Sequence, residues 1–399
     1  MTLRQKIGEE IRECGSIPFS RYMELCLYDP DLGYYSRNAE QFGKAGDFYT
    51  SSDVHAVFGR LLARQFEEMW RVLGSPGRVD ILELGPGRGL FAQDVLDWSE
   101  KTFPEFFDAL HYLLAENSSV LRQRLQATLK KHFAAGKASL WSVGMPDGRK
   151  GAALAGPRVL SDDSALAAER LLSGPVIVFA NEFFDALPVE VLGPQGELRI
   201  STKDGRFVEA WNSASAEELE FLERYSVHPE VGERIEVSLI AQRYVSRIAA
   251  SVERGFIIAI DYGYTRQEQL AGRHRGTITA YRQHSASANL YEAPGEQDIT
   301  AHVNFTALTA AVEQSGMQIQ PLLTQSQFLL GIGEPNQFAD AFEDCQLPQE
   351  RAKVALQLKH LVTPAGMGES FHVLIASKDV SKEQLSKLSG LSFGKPVHL

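Results

Sequence analysis

Cysteine is scarce in this chain, long apolar runs are absent, and basic charge is not in excess. Each shortage excludes something. Cys14, Cys26 and Cys345 are the only cysteines among 399 residues, and no two of them form a C-x-x-C pair. That spacing suggests neither a zinc site nor a disulfide framework, so buried or incidental thiols in a reducing compartment are expected. No stretch approaches the length of a membrane-spanning helix. The formal net charge is −11. Nucleic-acid binding needs a basic footprint, which is missing here, whereas an acidic face would attract a basic peptide or protein. Met1 to Gly15 reads as a helix carrying Glu9, Glu10 and Glu13. It fits neither a signal peptide nor a transit peptide, and a cytoplasmic location is expected. Repeats and low-complexity tracts are lacking too. What is left is 44% hydrophobic and 23% charged, enough to build a sizeable core in one large or two modest domains.

The most informative stretch is Val79-Asp80-Ile81-Leu82-Glu83-Leu84-Gly85-Pro86-Gly87-Arg88-Gly89-Leu90. An apolar run that ends in glycines and turns into a helix is how an α/β protein holds a nucleotide-like ligand. The helix that follows points free N–H groups and its positive dipole end at the loop. The spacing G-x-G-x-G differs from the dinucleotide form G-x-G-x-x-G. With Glu83 ahead of it, the loop resembles motif I of the class I S-adenosylmethionine (SAM) methyltransferases.

A second apolar strand, His111 to Ala115, ends at Glu116-Asn117. This acid lies roughly 27 residues beyond Gly89, where α/β nucleotide binders grip ribose hydroxyls, so a ribose role is preferred to capping of the next helix. Residues from Ala134 to Gly156 show little pattern and read as a variable excursion. Arg158 to Leu160 reads as a weak third strand, and Asp162-Asp163 as a helix cap. Pro175 to Ala180 is apolar throughout, as a central parallel strand should be. It ends in Asn181-Glu182-Phe183-Phe184-Asp185-Ala186-Leu187-Pro188, polar groups at the end of a central strand and beside the glycine loop, where ligands bind. Capping is a competing reading for Asp185. Val189 to Trp211 suggests a small antiparallel insertion. Gly255 to Ile260 is another buried strand. Met317 to Leu322 and Phe371 to Ser377 are late strands that close the sheet. His302 is read as a structural imidazole rather than a catalytic base.

Five segments together are similar to the MidA family of class I SAM-dependent methyltransferases: FGKAGDFYTSSD at 42–53, ELGPGRG at 83–89, NEFFDALPV at 181–189, IDYGY at 260–264 and GEQDITAHVNF at 295–305. NEFFDALP and GEQDITAHV are the most specific of these, and the likeness weakens at about 134–170. Mitochondrial members of that family are assembly factors for respiratory complex I that methylate an arginine of a partner subunit. The resemblance implies a Rossmann-like α/β fold, with a seven-stranded, mostly parallel sheet of order 3-2-1-4-5-7-6. It also implies an N-terminal helical or lid segment over 1–75 and a methyltransferase domain over 76–399, with insertions at about 189–235 and 262–304. Glu83, Gly85, Pro86, Gly87, Gly89, Glu116 and Asn117 match its cofactor-binding positions. Asp47, Phe48 and Thr50 are weaker candidates for a loop that closes over SAM.

The expected chemistry is in-line methyl transfer, in which the protein mainly aligns and desolvates. An arginine nucleophile, whose pKa stays above about 12, needs a carboxylate fork to hold its guanidinium. Glu182 and Asp185 are the candidates for that fork. Asn181 would orient them, and Phe183 and Phe184 would wall out water. A protein substrate is expected, with no nucleic acid and no membrane insertion, and a homodimer is compatible. The alternatives are a small-molecule N- or O-methyltransferase, or a SAM-binding assembly factor with little turnover. A nicotinamide-dependent oxidoreductase is disfavoured by the glycine spacing.

Overall fold

The computed structural model describes residues 1–36, 56–141, 174–282, 285–287 and 289–394. Seven strands form the path of its main sheet: β1 (Val79–Leu84), β2 (Leu110–Ala115), β3 (Ala138–Leu140), β4 (Pro175–Asn181), β5 (Arg254–Tyr264), β6 (Gln318–Ile319) and β7 (Phe371–Lys378). Their spatial order is β6-β7-β5-β4-β1-β2-β3. Neighbours run parallel from β5 through β3, while β7 is antiparallel to both β5 and β6. Two short strands bring the sheet to nine: Val303–Asn304 beside β5 and Leu323–Thr324 beside β7.

Both faces of this sheet are covered, which is why its strands are apolar on both sides. Successive side chains of a strand point to opposite faces. On one face Ile177 and Phe179 of β4 meet Val57, Leu61 and Phe66 of helix α3 (Ala56–Val72) and Phe91 and Val95 of helix α4 (Leu90–Thr102). The Phe91 and Phe179 rings stack 4.5 Å apart, and Phe66 meets Phe179 edge-on at 5.5 Å. On the other face Val176, Val178 and Ala180 meet Val245 and Ile248 of helix α5 (Leu239–Ser251) and Leu308 and Val312 of helix α6 (Phe305–Gln314).

A separate apolar cluster lies away from this sheet. Helices α1 (Leu3–Cys14) and α2 (Phe19–Tyr28) contribute Leu3, Ile7, Ile11, Phe19, Tyr22 and Met23. These pack on Val191, Leu198 and Ile200 of an antiparallel sheet that takes in Ile17–Pro18, Glu190–Gly193, Gly196–Lys203, Arg206–Asn212 and Ile235–Val237. Ile299 of a three-stranded sheet, which includes Thr279–Arg282 and Asp298–Thr300, joins the same cluster. The span 1–75 therefore divides in space: α1 and α2 pack with the insertions, whereas α3 lies in the core of the main sheet.

The described strand β3 beside β2 was not read from the sequence. Ala138–Leu140 pairs with β2 through Tyr112↔Ala138 and Leu114↔Leu140, inside the stretch read as patternless. A strand of three residues has too little apolar pattern to stand out. Arg158 to Leu160 and Asp162-Asp163 lie outside the described residues. Among the described residues no helix is long and apolar enough to cross a membrane.

Candidate active site

Register brings the site together. Leu84 of β1 pairs with Ala115 of β2 and with Ala180 of β4, and Asn181 pairs with Ile260 of β5. The residues just past these pairs (Gly85, Glu116, Glu182 and Asp261) therefore emerge on one edge of the sheet, at its carboxyl ends, where open α/β sheets bind ligands.

On the β1–β2 side the working parts are mostly backbone. Gly85, Gly87 and Gly89 have φ of 65°, 53° and 77°, all in the left-handed region. Gly85 is also a close approach: a Cβ there would fall 2.8 Å from the Phe183 ring. Gly89 caps α4 and supplies no side-chain bond to its first turn, so the amides of that turn are available to an anion. The Pro86 carbonyl accepts from Gly89 N–H at 2.8 Å and closes the turn. The Glu116 carboxylate accepts from Ser118 N–H at 2.8 Å, and the nearby Asn117 and Gly87 amides also favour its anion. Burial nonetheless pushes its carboxyl up to about 7. Asn117 beside it is exposed.

Glu83 takes a different place from its neighbours in the motif. Its side chain points to the α3–α4 face and is buried, and the Tyr112 hydroxyl donates to it at 2.9 Å. Burial pushes this carboxyl up to about 8. Glu83 therefore braces β1 against β2 from beneath the loop. Asp47, Phe48 and Thr50 lie outside the described residues.

The β4–β5 side is built from side chains. β4 ends at Asn181, and Glu182 follows with φ 48°, a left-handed conformation that a non-glycine residue adopts at some cost. Asn181 Nδ2 donates to Glu182 Oε1 at 3.1 Å, while Asn181 Oδ1 is buried without a hydrogen-bond partner. No helix follows this turn, so Asp185 is not a cap. Asp185 is buried; the Tyr262 hydroxyl donates to its Oδ2 at 2.5 Å, and its Oδ1 is buried and unpartnered. Burial pushes the Asp185 carboxyl up to about 6, against the pull of the Tyr262 hydrogen bond and of the nearby Ala186 and Asp185 amides.

Sequence reasoning missed what holds this turn. Asp261, fully buried, accepts from the N–H groups of Phe183, Phe184 and Asp185 at 3.2, 3.0 and 3.3 Å through Oδ2, and from Tyr262 N–H at 2.9 Å through Oδ1. Burial, with Asp185 and Glu182 nearby, raises its carboxyl, while the backbone donors favour its anion. It follows the last pair between β4 and β5 and directly ends the apolar run of β5, so the end-of-strand rule that singled out Asn181 and Glu182 would have found it. Tyr28 and Tyr35 were missed as well. The Tyr28 hydroxyl donates to the Ala186 carbonyl at 2.9 Å, the Tyr35 hydroxyl to Asp298 Oδ1 at 3.1 Å, and the two rings lie 5.4 Å apart. His302 meets the Tyr262 ring edge-on at 5.1 Å and places its Nδ1 3.2 Å from that of His274. Burial and His274 push the His302 imidazole down to about 4.

A free helix start, a glycine turn and a carboxylate after the second strand fit the amino-acid and ribose ends of SAM. Comparison with known proteins agrees. Residues 61–322 match a family model described as S-adenosyl-L-methionine-dependent methyltransferase. Among curated relatives, the protein arginine methyltransferase NDUFAF7 homolog, mitochondrial, of Drosophila melanogaster is 28% identical over 98% of this chain and 88% of its own length. The human protein arginine methyltransferase NDUFAF7, mitochondrial, is 28% identical over 91% and 80%. A Burkholderia thailandensis protein, solved with S-adenosyl-homocysteine bound, superposes with a TM-score of 0.79 at 28% identity, covering 99% of this chain and 96% of that one. The curated relatives are mitochondrial by name, which overturns the cytoplasmic expectation. The acids behind that expectation sit on α1, whose Leu3, Ile7 and Ile11 are buried in the fold. Glu9 and Glu13 are exposed on it, and Glu10 pairs with Arg21 of α2 at 2.7 Å.

Proposed function

The chain belongs to this family of S-adenosyl-L-methionine-dependent methyltransferases, and from that premise we propose a protein arginine N-methyltransferase whose substrate is a partner protein. The name shared by the curated relatives supports the arginine. The likeness to the MidA family suggests a respiratory complex I subunit as the kind of partner. The observation that carries the reading is the Asp185 carboxylate, which is buried, held on one oxygen by Tyr262 and unpartnered on the other. A buried acceptor without a donor is costly unless a ligand supplies one. The N–H edge of a guanidinium is such a donor, in a fork geometry that suits a carboxylate.

The cofactor, when bound, supplies an electrophilic methyl group. Gly85, Pro86, Gly87 and Gly89 would hold its amino-acid end with backbone amides, and Glu116 with Asn117 its ribose. Glu83 would act from below by fixing the loop. On the other side Asp185 and Glu182 would take the guanidinium, with Asn181 Oδ1 as a further acceptor. A guanidinium is protonated at neutral pH, so the attacking nitrogen must shed a proton. Asp185, its carboxyl lifted to about 6, can receive that proton and pass it to water. Phe183 and Phe184, with rings 5.3 Å apart, would keep solvent from the transfer line.

Incubating the protein with methyl-labelled SAM and a cell extract, followed by mass spectrometry of the labelled protein, tests this. Label on an arginine side chain is expected. Label confined to small molecules, or to lysine or carboxylate side chains, would overturn the arginine reading.

A further inference from the structure

The segment GEQDITAHVNF is among the most specific in the sequence, and the transfer chemistry above leaves it without a role. Its residues divide by what they touch. Gly295 has φ 80°, and a Cβ there would fall 2.3 Å from the Leu32 carbonyl, so it lets this loop lie against the N-terminal segment. Glu296 pairs with Arg282 at the surface, 2.6 Å away. Gln297 is buried and ties the loop shut: its Nε2 donates to the Asn289 carbonyl at 3.2 Å, and its Oε1 accepts from Ala293 N–H at 3.3 Å. Asp298 does something else.

Asp298 and Thr300 lie two apart on one short strand and so share a face, with Ile299 turned into the apolar cluster behind. The Thr300 side chain lies close enough to Tyr262 to favour ionisation of its hydroxyl, and that hydroxyl donates to Asp185. Just past the strand, Ala301 N–H donates to the Asp185 carbonyl at 2.9 Å. Asp298 is thus on the face that looks toward the Asp185–Tyr262 pair. The charges of Asp298 and Asp185 both act on Tyr28 and Tyr35. Tyr35 is fixed from the cofactor side as well, because the Ser118 hydroxyl donates to its carbonyl at 2.8 Å, two residues beyond Glu116. Among the described residues no lysine or arginine forms an ion pair with Asp185.

We propose that Asp298, steadied by the Tyr35 hydroxyl, is the second carboxylate of the substrate pocket and sets its preference for a positively charged side chain. The proposal rests on the reading of this pocket as one for an arginine. Two carboxylates reached from different elements can contact a guanidinium on two edges, which favours the charged group over a neutral one of the same shape. Tyr35 joins this pocket to the loop that carries Glu116, so the position of Asp298 is set partly from the cofactor side.

The test uses the full chain saturated with S-adenosyl-homocysteine, with calorimetric titration of N-acetyl-arginine methylamide and its neutral analogue N-acetyl-citrulline methylamide. The wild type is expected to prefer the arginine probe by about tenfold or more. Asp298→Asn should lose most of that preference by weakening arginine binding alone, with S-adenosyl-homocysteine affinity unchanged. Tyr35→Phe should lose about threefold. If both variants keep the wild-type preference, Asp298 is structural and the proposal fails while the arginine reading stands. If the wild type itself shows no preference, the arginine reading fails instead. Should Asp298→Asn not fold, as judged by loss of S-adenosyl-homocysteine binding, the Tyr35→Phe result decides.

Discussion

The two sides of the site are made of different material. The proposed cofactor side is largely one contiguous loop plus one acid, and its donors would be backbone amides whose placement depends on glycine dihedrals. The proposed substrate side is assembled from four segments distant in sequence: Tyr28 and Tyr35, Asn181 to Asp185, Asp261 and Tyr262, and Asp298 to His302. A backbone site tolerates exchange of nearly any side chain except where a Cβ intrudes. A side-chain site fails one residue at a time.

That contrast can be broken by substitutions on either side. The largest effect is expected from Asp185→Asn: turnover falls about 10²- to 10³-fold while S-adenosyl-homocysteine affinity stays within about twofold. Glu182→Gln should also lower turnover, but by less, because Glu182 is partly exposed and already receives the Asn181 amide. Single-turnover methylation and calorimetry measure the two quantities, and a wild-type rate for both variants would remove this turn from the chemistry.

Next is Gly85→Ala. The added Cβ meets Phe183 at 2.8 Å, and φ is 65°. S-adenosyl-homocysteine affinity should drop by about 100-fold, and stability by about 1–3 kcal/mol, read by calorimetry and denaturant titration. Unchanged affinity would mean that the loop backbone does not hold the cofactor.

Tyr262→Phe should cost about tenfold in turnover with no change in cofactor affinity. Its signature is in pH. The Tyr262 hydroxyl stabilises the Asp185 anion against burial, so its loss raises the Asp185 carboxyl above about 6. The acid limb of the kcat/KM profile then moves to higher pH, and a limb that stays in place argues against Asp185 as the titrating group.

The smallest effect is expected from Glu83→Gln, and it concerns stability. The buried Glu83 carboxyl is pushed up to about 8 from a usual value near 4.5. The folded protein therefore binds this proton more readily than the unfolded chain, and the stabilisation it gives is lost as pH rises from about 4.5 through about 8. The variant should flatten the fall of the melting temperature over that window in the cofactor-free protein. An unchanged slope would show that Glu83 is not the group responsible.

How much of this was legible follows the same divide. The glycine loop, the acid after β2 and the polar turn after β4 stood out because each is a local pattern closed by the end of an apolar run. Asp185 was singled out, but with capping as a rival, since the absence of a helix after it could not be read from residues 181–188. Asp261 and Tyr262 were visible only as part of a motif without a role. The role depends on β5 lying beside β4 in register, with Asn181 opposite Ile260. Glu83 was read as a cofactor contact, and only the pleat shows that its carboxylate receives the Tyr112 hydroxyl.

The sequence alone determined the nucleotide-binding class, because left-handed glycines, apolar strands and helix starts are properties of a few adjacent residues. Tertiary structure decided what the other half of the site contains. Tyr35 and Asp298 meet although they are 263 positions apart, since α2 and the insertions share one apolar cluster that brings their polar edges to the sheet. Proximity of that kind comes from burying surface between remote segments, and no local pattern encodes it.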